Sequence, residues 1–348
     1  MRSAARSLLA GDDVEYLQYG VEQGHDRFRG LLAATIEAET GVPTAQESLF
    51  VTAGASQALD ILCTLYTRPG QTVLVAEPTY FLALEVFADR ELTVVPVPCD
   101  EHGPVVAELE AALATHRPAL LYLVPSFANP TGVSLTAERR EAVLNLTAHT
   151  GTLVVADEVY RFLQFSGAPP ASLADQSHPH VVSLNSFSKT LAPGLRLGWF
   201  AGPEAVLQRI AASGFLRSGG GLNPFVAALV GELLESGEFT AHLASLRTTY
   251  SQRAAALVRA LREHAPQLEF TEPAGGYFVW ARLPGADPAR LREAAQQHGA
   301  DFAPGAAFST GGRFADYIRL SISHYSPAEL EEGAKRLGAA VRAELALR

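Results

Sequence analysis

Lysine is nearly missing from this chain: of 27 Lys and Arg residues, only Lys189 and Lys335 are lysines. Arginine, which does not lose its proton, meets almost every other need for positive charge. The two lysines are thus the only side-chain amines open to chemistry that requires a neutral amine. Cysteine is equally sparse. Cys63 sits in an apolar helical stretch, Cys99 follows the apolar run at 94–98, and no CxxC spacing occurs. That pattern argues against a disulfide framework or a metal site and for two free thiols in a reducing compartment. The net charge of −10 comes with no basic run, which speaks against nucleic acid or an anionic membrane as partner. No apolar run approaches the roughly eighteen residues of a membrane span. Asp12, Asp13 and Glu15 interrupt any charged-then-apolar leader pattern. Together these absences predict a cytoplasmic, soluble protein.

What is present is ordinary globular composition, 48% hydrophobic and 18% charged over 348 residues, long enough for two domains or one large domain with an appendage. A short helix and an acidic turn open the chain. The spacing predicts a helix over 26–40, with Phe28, Leu31, Leu32 and Ile36 inward and Arg29 and Glu37 facing away. Seven short, β-rich runs follow, at 49–52, 72–75, 92–95, 120–124, 153–155, 181–184 and 198–201. Helical stretches at 56–66, 81–90, 105–116 and 136–149 lie between many of them. This alternation predicts an α/β fold, with a mainly parallel seven-stranded sheet covered by helices on both faces. Helices are expected at 204–216 and 224–235, with a glycine-rich joint at 218–221 between them, and then a long connecting helix at 238–264. A smaller α+β unit should complete the chain. It comprises strands at 268–270, 277–282 and 317–321, a helix at 288–298 and a last helix at 327–347. No internal repeat or low-complexity segment is visible.

In such a sheet ligands sit beyond the carboxyl ends of the strands, and those ends carry polar residues here. Gly54 in Thr52-Ala53-Gly54-Ala55-Ser56-Gln57 permits a tight turn, and the N–H groups of Ala55, Ser56 and Gln57 at the helix start form an anion cradle. The same joint also reads as a plain turn. Tyr80 follows the next strand and can stack on a flat ring or simply fill the core. Asn129-Pro130-Thr131-Gly132 is a good turn whose Asn129 amide can also donate to a phenolate. Asp157, at the end of an uncharged strand, must be paired; a cationic ring nitrogen or Arg161 would serve. Ser186, Ser188 and Arg196 flank Lys189 and can together hold a phosphate dianion. Lys189 itself lies between two mostly apolar runs, where its pKa can be lowered; a lysine merely snorkelling at a strand end is the alternative.

With Asn-Pro-Thr-Gly, Asp157-Glu158-Val159-Tyr160 and Ser186-Phe187-Ser188-Lys189 in series, the chain resembles the class I/II aminotransferases. These are pyridoxal-phosphate (PLP) enzymes of fold type I. The likeness runs from about Leu17 to His324. The Leu17-Gln18-Tyr19-Gly20 opening is most similar to the 2-aminoadipate and kynurenine aminotransferases, and to the aminotransferase domain of winged-helix fusion regulators. The resemblance implies that Lys189 carries the cofactor as an internal aldimine and serves as the base at Cα, with Asp157 and Tyr160 as further catalytic groups. Asp157 would keep the pyridine nitrogen protonated. Asn129 and Tyr160 would bond the 3′-oxygen, and Tyr80 would stack on the ring. Ala55, Ser56, Gln57, Ser186, Ser188 and Arg196 would bind the phosphate, joined by Tyr19 from the neighbouring subunit of a homodimer. Arg319 would clamp the substrate carboxylate, with Asn129 and Gly20 beside it; a surface arginine on an alternating strand is the plain alternative.

The implied organisation is an N-terminal arm at 1–30 packing with the small domain or a partner subunit, a large PLP-binding domain at 31–237 and a small domain at 238–348. The implied activity is ping-pong transfer of an α-amino group to a 2-oxo acid. Another PLP reaction on this fold, β-elimination or decarboxylation, or a non-catalytic PLP- or amine-binding sensor, are the alternatives. The segment before Leu17 is short, so the substrate does not carry over from the likeness.

Overall fold

A computed structural model describes residues 1–11, 14–174 and 178–346. Part of the expected acidic turn (Asp12, Asp13) and Leu347 lie outside the described residues. Eight strands form the main sheet: β1 (Leu49–Thr52), β2 (Thr72–Glu77), β3 (Thr93–Asp100), β4 (Gly103–Pro104), β5 (Leu120–Leu123), β6 (Leu153–Asp157), β7 (Val181–Ser186) and β8 (Gly198–Ala201). Their order is β1-β8-β7-β6-β5-β2-β3-β4. The pairs β3-β2, β2-β5, β5-β6 and β6-β7 are parallel, and β8 runs antiparallel between β7 and β1. Seven of these strands are the seven runs expected. The eighth, β4, is a two-residue return against β3, too short to give any period.

Helices cover both faces. They are α1 (Arg2–Ala10), α2 (Asp26–Thr40), α3 (Ala55–Tyr66), α4 (Phe81–Asp89), α5 (Val106–His116), α6 (Ala137–Thr150), α7 (Glu204–Ala211), α8 (Gly214–Gly219) and α9 (Pro224–Glu235). The period-2 alternation of the strands explains why they read as unbroken apolar runs. Leu74, Leu121, Leu123, Val154 and Val181 point to one face, onto Leu109 and Leu113 of α5 and Val143 of α6. Val73, Val75, Tyr122, Val155 and Val182 point to the other, onto Leu59 and Leu62 of α3.

The remaining elements are α10 (Glu238–His264), β9 (Glu269–Phe270), β10 (Phe278–Arg282), α11 (Pro288–Gln297), β11 (Ala303–Pro304), β12 (Tyr317–Ser321) and α12 (Pro327–Ala346). Their four strands make an antiparallel sheet in the order β11-β12-β10-β9, with α10, α11 and α12 packed together. Lys335 is exposed on α12. No helix among the described residues is long and apolar enough to cross a membrane.

Two local expectations are corrected. The helix expected at 204–216 is two helices, α7 and α8, broken at Ala212 and Ser213, and α8 takes in Ser218 and Gly219 of the joint. Arg29 does not face away: it is buried, with Nε donating to the Gly24 carbonyl, Nη1 to the Gln46 carbonyl and Nη2 to Asp26. Two carbonyls from outside α2 and the Asp26 carboxylate accept from the guanidinium, and the carbonyl bonds leave no mark in the spacing of α2. At the N-terminus α1 packs on α9, with Ser7 Oγ donating to Glu232 at 2.6 Å, and Ser3 Oγ donates to Glu238 at the start of α10 at 2.9 Å.

Candidate active site

The strand order brings the polar strand ends together. One cavity of about 170 Å³ is lined by Ala55 and Ser56 at the start of α3, Tyr80 before α4, and Asn129 after β5. Asp157 and Tyr160 line it from the end of β6, and Ser186, Ser188, Lys189 and Arg196 from the β7–β8 connection. Gln57 is not among the lining residues; its Oε1 accepts from the Ala53 N–H at 2.7 Å and so ties the turn before α3. Nor does this single chain bring Tyr19 or Gly20 to the cavity. Tyr19 is 87% exposed, and both residues line a separate cavity beside Gly220 and Gly221.

At one end of the cavity Gly54 adopts φ 97°, a conformation side chains rarely take, and a Cβ there would sit 2.8 Å from Arg196 Nη2. The glycine thus lets the guanidinium lie against the start of α3. Arg196 contacts only neutral oxygens at long range, Ser188 Oγ at 3.4 Å, the Pro193 carbonyl at 3.4 Å and the Ala53 carbonyl at 3.3 Å. Among the described residues no carboxylate pairs with it. Ser186 Oγ and Ser188 Oγ lie 2.9 Å apart beside it. An uncompensated guanidinium, two hydroxyls and a helix N-terminus match the donor set of a phosphate dianion.

The opposite side holds a buried acid. Asp157 accepts the Tyr122 hydroxyl at 2.7 Å and the Val159 N–H at 3.4 Å. Arg161, the alternative partner, donates instead to the Pro170 carbonyl at 2.6 Å. Burial raises the Asp157 pKa; the Tyr122 bond, the Val159 N–H and Lys189 oppose this. Lys189 is shifted the other way. Burial lowers its pKa, Asp157 pulls back, and Arg319 and Arg196 push it down further. In each group desolvation outweighs the attraction between the two. The amine lies 5.8 Å from the Tyr160 ring centre and 5.9 Å from that of Tyr277.

Arg319, on β12 of the small sheet, is not among the lining residues, but its Nη1 donates at 2.8 Å to Oδ1 of Asn129, which is. Its guanidinium lies near the Phe278 and Phe308 rings, 4.2 and 4.9 Å from their centres, and its buried Nε has no partner among the described residues. The surface-arginine reading of that position is therefore excluded. A half-buried guanidinium with donors left over suits an anion.

Sequence reasoning misses Tyr122 and Tyr277. Tyr122 pairs with Val155 in register, and Asp157, two residues on, shares that face. The one sign in the sequence is a hydroxyl inside an otherwise apolar strand. Tyr277 donates from its hydroxyl to the Lys189 carbonyl at 2.6 Å and packs edge-on against Tyr160. Its place after Gly275-Gly276 holds no sign of that bond.

The Tyr122→Phe substitution removes a hydrogen bond that holds the Asp157 pKa down. A bond to a charged group stabilises the carboxylate, so the acid limb of activity should move to higher pH when it is lost. Because the folded-state pKa of Asp157 is raised, the folded chain binds more protons here than the unfolded chain. Its contribution to stability therefore falls as pH rises from the ordinary carboxylate value through the raised one. In Tyr122→Phe apoprotein that fall should widen. A pH–rate profile with melting curves across the same range checks both; an unmoved acid limb would show that Tyr122 does not tune the acid.

A sequence model of the family described as Aminotransferase class I and II matches residues 1–337. The chain is 35% identical to the 2-aminoadipate transaminase of Thermus thermophilus over 99% of this chain and 86% of that protein. Its structure superposes, with a TM-score of 0.89 and 33% identity, on an alpha-aminoadipate aminotransferase of the same organism complexed with N-(5'-phosphopyridoxyl)-L-leucine, covering 100% of this chain and 88% of that one. Against the Pyrococcus horikoshii kynurenine aminotransferase the TM-score is 0.91 at 30% identity, covering 99% and 87%. The chain belongs to the class I and II aminotransferases, fold type I enzymes that transfer amino groups with pyridoxal phosphate.

Proposed function

We propose that this enzyme moves the α-amino group of an amino acid to a 2-oxo acid by a ping-pong path, with Lys189 as the amine at the reacting centre. The carrying observation is that one half-buried amine of lowered pKa and one buried acid, Asp157, line the same cavity, which also holds phosphate-type donors. Pyridoxal phosphate supplies, when bound, an electrophilic carbon for the amino group and a ring that accepts the electron pair left at Cα. Arg196, Ser186, Ser188 and the N–H groups of Ala55 and Ser56 would hold its phosphate. Tyr80 would lie against the ring, and Asn129 and Tyr160 would bond its 3′-oxygen; with Asn129 Oδ1 turned to Arg319, the amide NH₂ is left to donate.

Asp157 would keep a proton on the ring nitrogen, its carboxylate steadied by Tyr122 and the Val159 N–H. Lys189 would take the proton from the substrate Cα and return it to the cofactor carbon on the other side of the amino nitrogen; its lowered pKa makes the neutral amine available at a lower pH than in an ordinary lysine. Arg319 would grip the α-carboxylate, orienting the Cα–H bond for cleavage rather than the carboxylate bond. The exposed Tyr19, with exposed Leu17 and Val21 beside it, suits a homodimer in which this residue serves the partner's phosphate site.

A panel of amino donors against 2-oxoglutarate and pyruvate tests the reading. Transamination consumes the oxo acid one for one with the donor, whereas elimination or decarboxylation does not, and that second stoichiometry would overturn it. The Arg319→Lys variant keeps the charge and loses the fork. It should raise KM for the donor by roughly ten- to a hundredfold, with cofactor affinity unchanged; steady-state kinetics beside cofactor titration reads both.

A further inference from the structure

Glu77 ends β2, three residues before Tyr80 of the site, with its carboxylate fully buried. All its bonds come from the other sheet's side of the molecule. The Thr310 N–H donates to Oε1 at 2.9 Å, the Thr310 hydroxyl to the same oxygen at 3.2 Å, and Arg313 Nη1 to Oε2 at 3.4 Å. Next to this clasp the Thr79 N–H donates to the Phe308 carbonyl at 3.0 Å. Ser309 Oγ closes the loop on itself, accepting from the N–H groups of Gly311 at 3.2 Å and Arg313 at 3.0 Å. The segment 308–313 is thereby pinned to the end of β2 by four bonds, three of them to one acid. A buried carboxylate is costly unless fully paired, so the acid makes this arrangement of the loop strongly preferred over others.

The pinned segment carries Phe308. Its fully buried ring lies edge-on to Phe81 and Trp280, at 5.5 and 5.6 Å, and is one of the two rings near the Arg319 guanidinium. Asn129 holds only one of that guanidinium's nitrogens; the rings set the plane of the rest.

We propose that Glu77 is a positioning residue for substrate carboxylate binding. By clasping Thr310 and Arg313 it fixes Phe308, and Phe308 fixes the plane in which Arg319 presents its two-pronged donor. This rests on the reading of Arg319 as the carboxylate grip. A planar fork is sensitive to tilt in a way a point charge is not, so a slack loop should weaken carboxylate binding while leaving the phosphate and ring contacts on the far side of the cavity intact.

The test uses the PLP-loaded enzyme, with hexanoate as an unreactive carboxylate and the best donor from an amino-acid panel. In Glu77→Ala, the inhibition constant of hexanoate and the donor KM should both rise about tenfold, with kcat and cofactor affinity changing by less than about threefold. Glu77→Gln retains an acceptor for Thr310 and should show a smaller rise. Phe308→Leu leaves the clasp but removes the ring, and should reproduce the Glu77→Ala pattern; it and Glu77→Gln carry the test if Glu77→Ala does not fold. In an Arg319→Lys background, adding Glu77→Ala should raise neither constant further, since the fork it positions is gone. A fall in melting temperature with hexanoate binding and KM unchanged would overturn the proposal and leave Glu77 purely structural. If Arg319→Lys alone leaves both constants unchanged, the reading of Arg319 fails. If Arg319→Lys raises them and the Glu77 and Phe308 variants do not, only the positioning role fails.

Discussion

The Lys189→Ala variant is expected to lose turnover by on the order of ten-thousand-fold or more while its fold survives. Two separate functions go at once under the proposed reading, the amine that holds the cofactor and the base at Cα. The fold should survive because the amine makes no ion pair among the described residues and sits over two tyrosine rings at nearly 6 Å. Burial lowers its pKa, so between the lowered and ordinary lysine values the unfolded chain binds more protons than the folded one, and this contribution to stability rises with pH. Removing the amine removes a desolvation cost below that window, and the melting temperature at pH 7 should stay within about 5 °C of the parent. The Lys189→Arg variant is the sharper control. It restores charge and bulk yet should fail equally, because a guanidinium does not give up its proton. Single-turnover kinetics with PLP-loaded variants reads the loss. Turnover within tenfold of the parent in either variant would remove Lys189 from the mechanism.

The second large effect is expected at Asp157. The Asp157→Asn variant keeps the shape and can still accept from Tyr122, so the apoprotein should fold and melt close to the parent. What goes is the negative charge that would hold a proton on the ring nitrogen. Breaking a buried charge pair costs about 3–5 kcal/mol, which in a rate corresponds to roughly 150- to 5,000-fold. The loss should fall on the rate of the half-reaction from amino donor to oxo acid, with donor KM changed little, since Arg319 is untouched. Stopped-flow absorbance of that half-reaction is the measurement, and a rate within threefold of the parent would show that ring protonation does not depend on this carboxylate.

What the sequence shows and what it hides can be traced residue by residue. Each strand-end motif is local: Gly54 to Ser56, Asn129 to Gly132, Asp157 to Tyr160 and Ser186 to Lys189 are contiguous, and a parallel sheet brings its carboxyl ends to one edge whatever the exact register. That is why ten of the expected residues line one cavity. Tyr122 is hidden because its role depends on the register of β5 on β6, which no local pattern states. Glu77 is hidden because it reads as the residue before a turn proline, while its partners lie over two hundred positions away at Thr310 and Arg313. The buried Arg29 is misplaced because helical spacing counts an arginine as polar, whereas the Gly24 and Gln46 carbonyls outside the helix and Asp26 at its start accept from it. The two-residue strands β4 and β11 are too short for any periodicity to mark.

Lys189 is half-buried between aromatic rings, and Lys335 stands in solvent on the last helix. Amine-directed reagents therefore meet two side-chain amines in this sequence, and only Lys189 lines the site cavity. A protease that cuts after lysine would divide the polypeptide into three pieces. Any stable modification of the inner amine would block one cut and fuse the first two, so peptide mapping alone would report its occupancy without an optical signal.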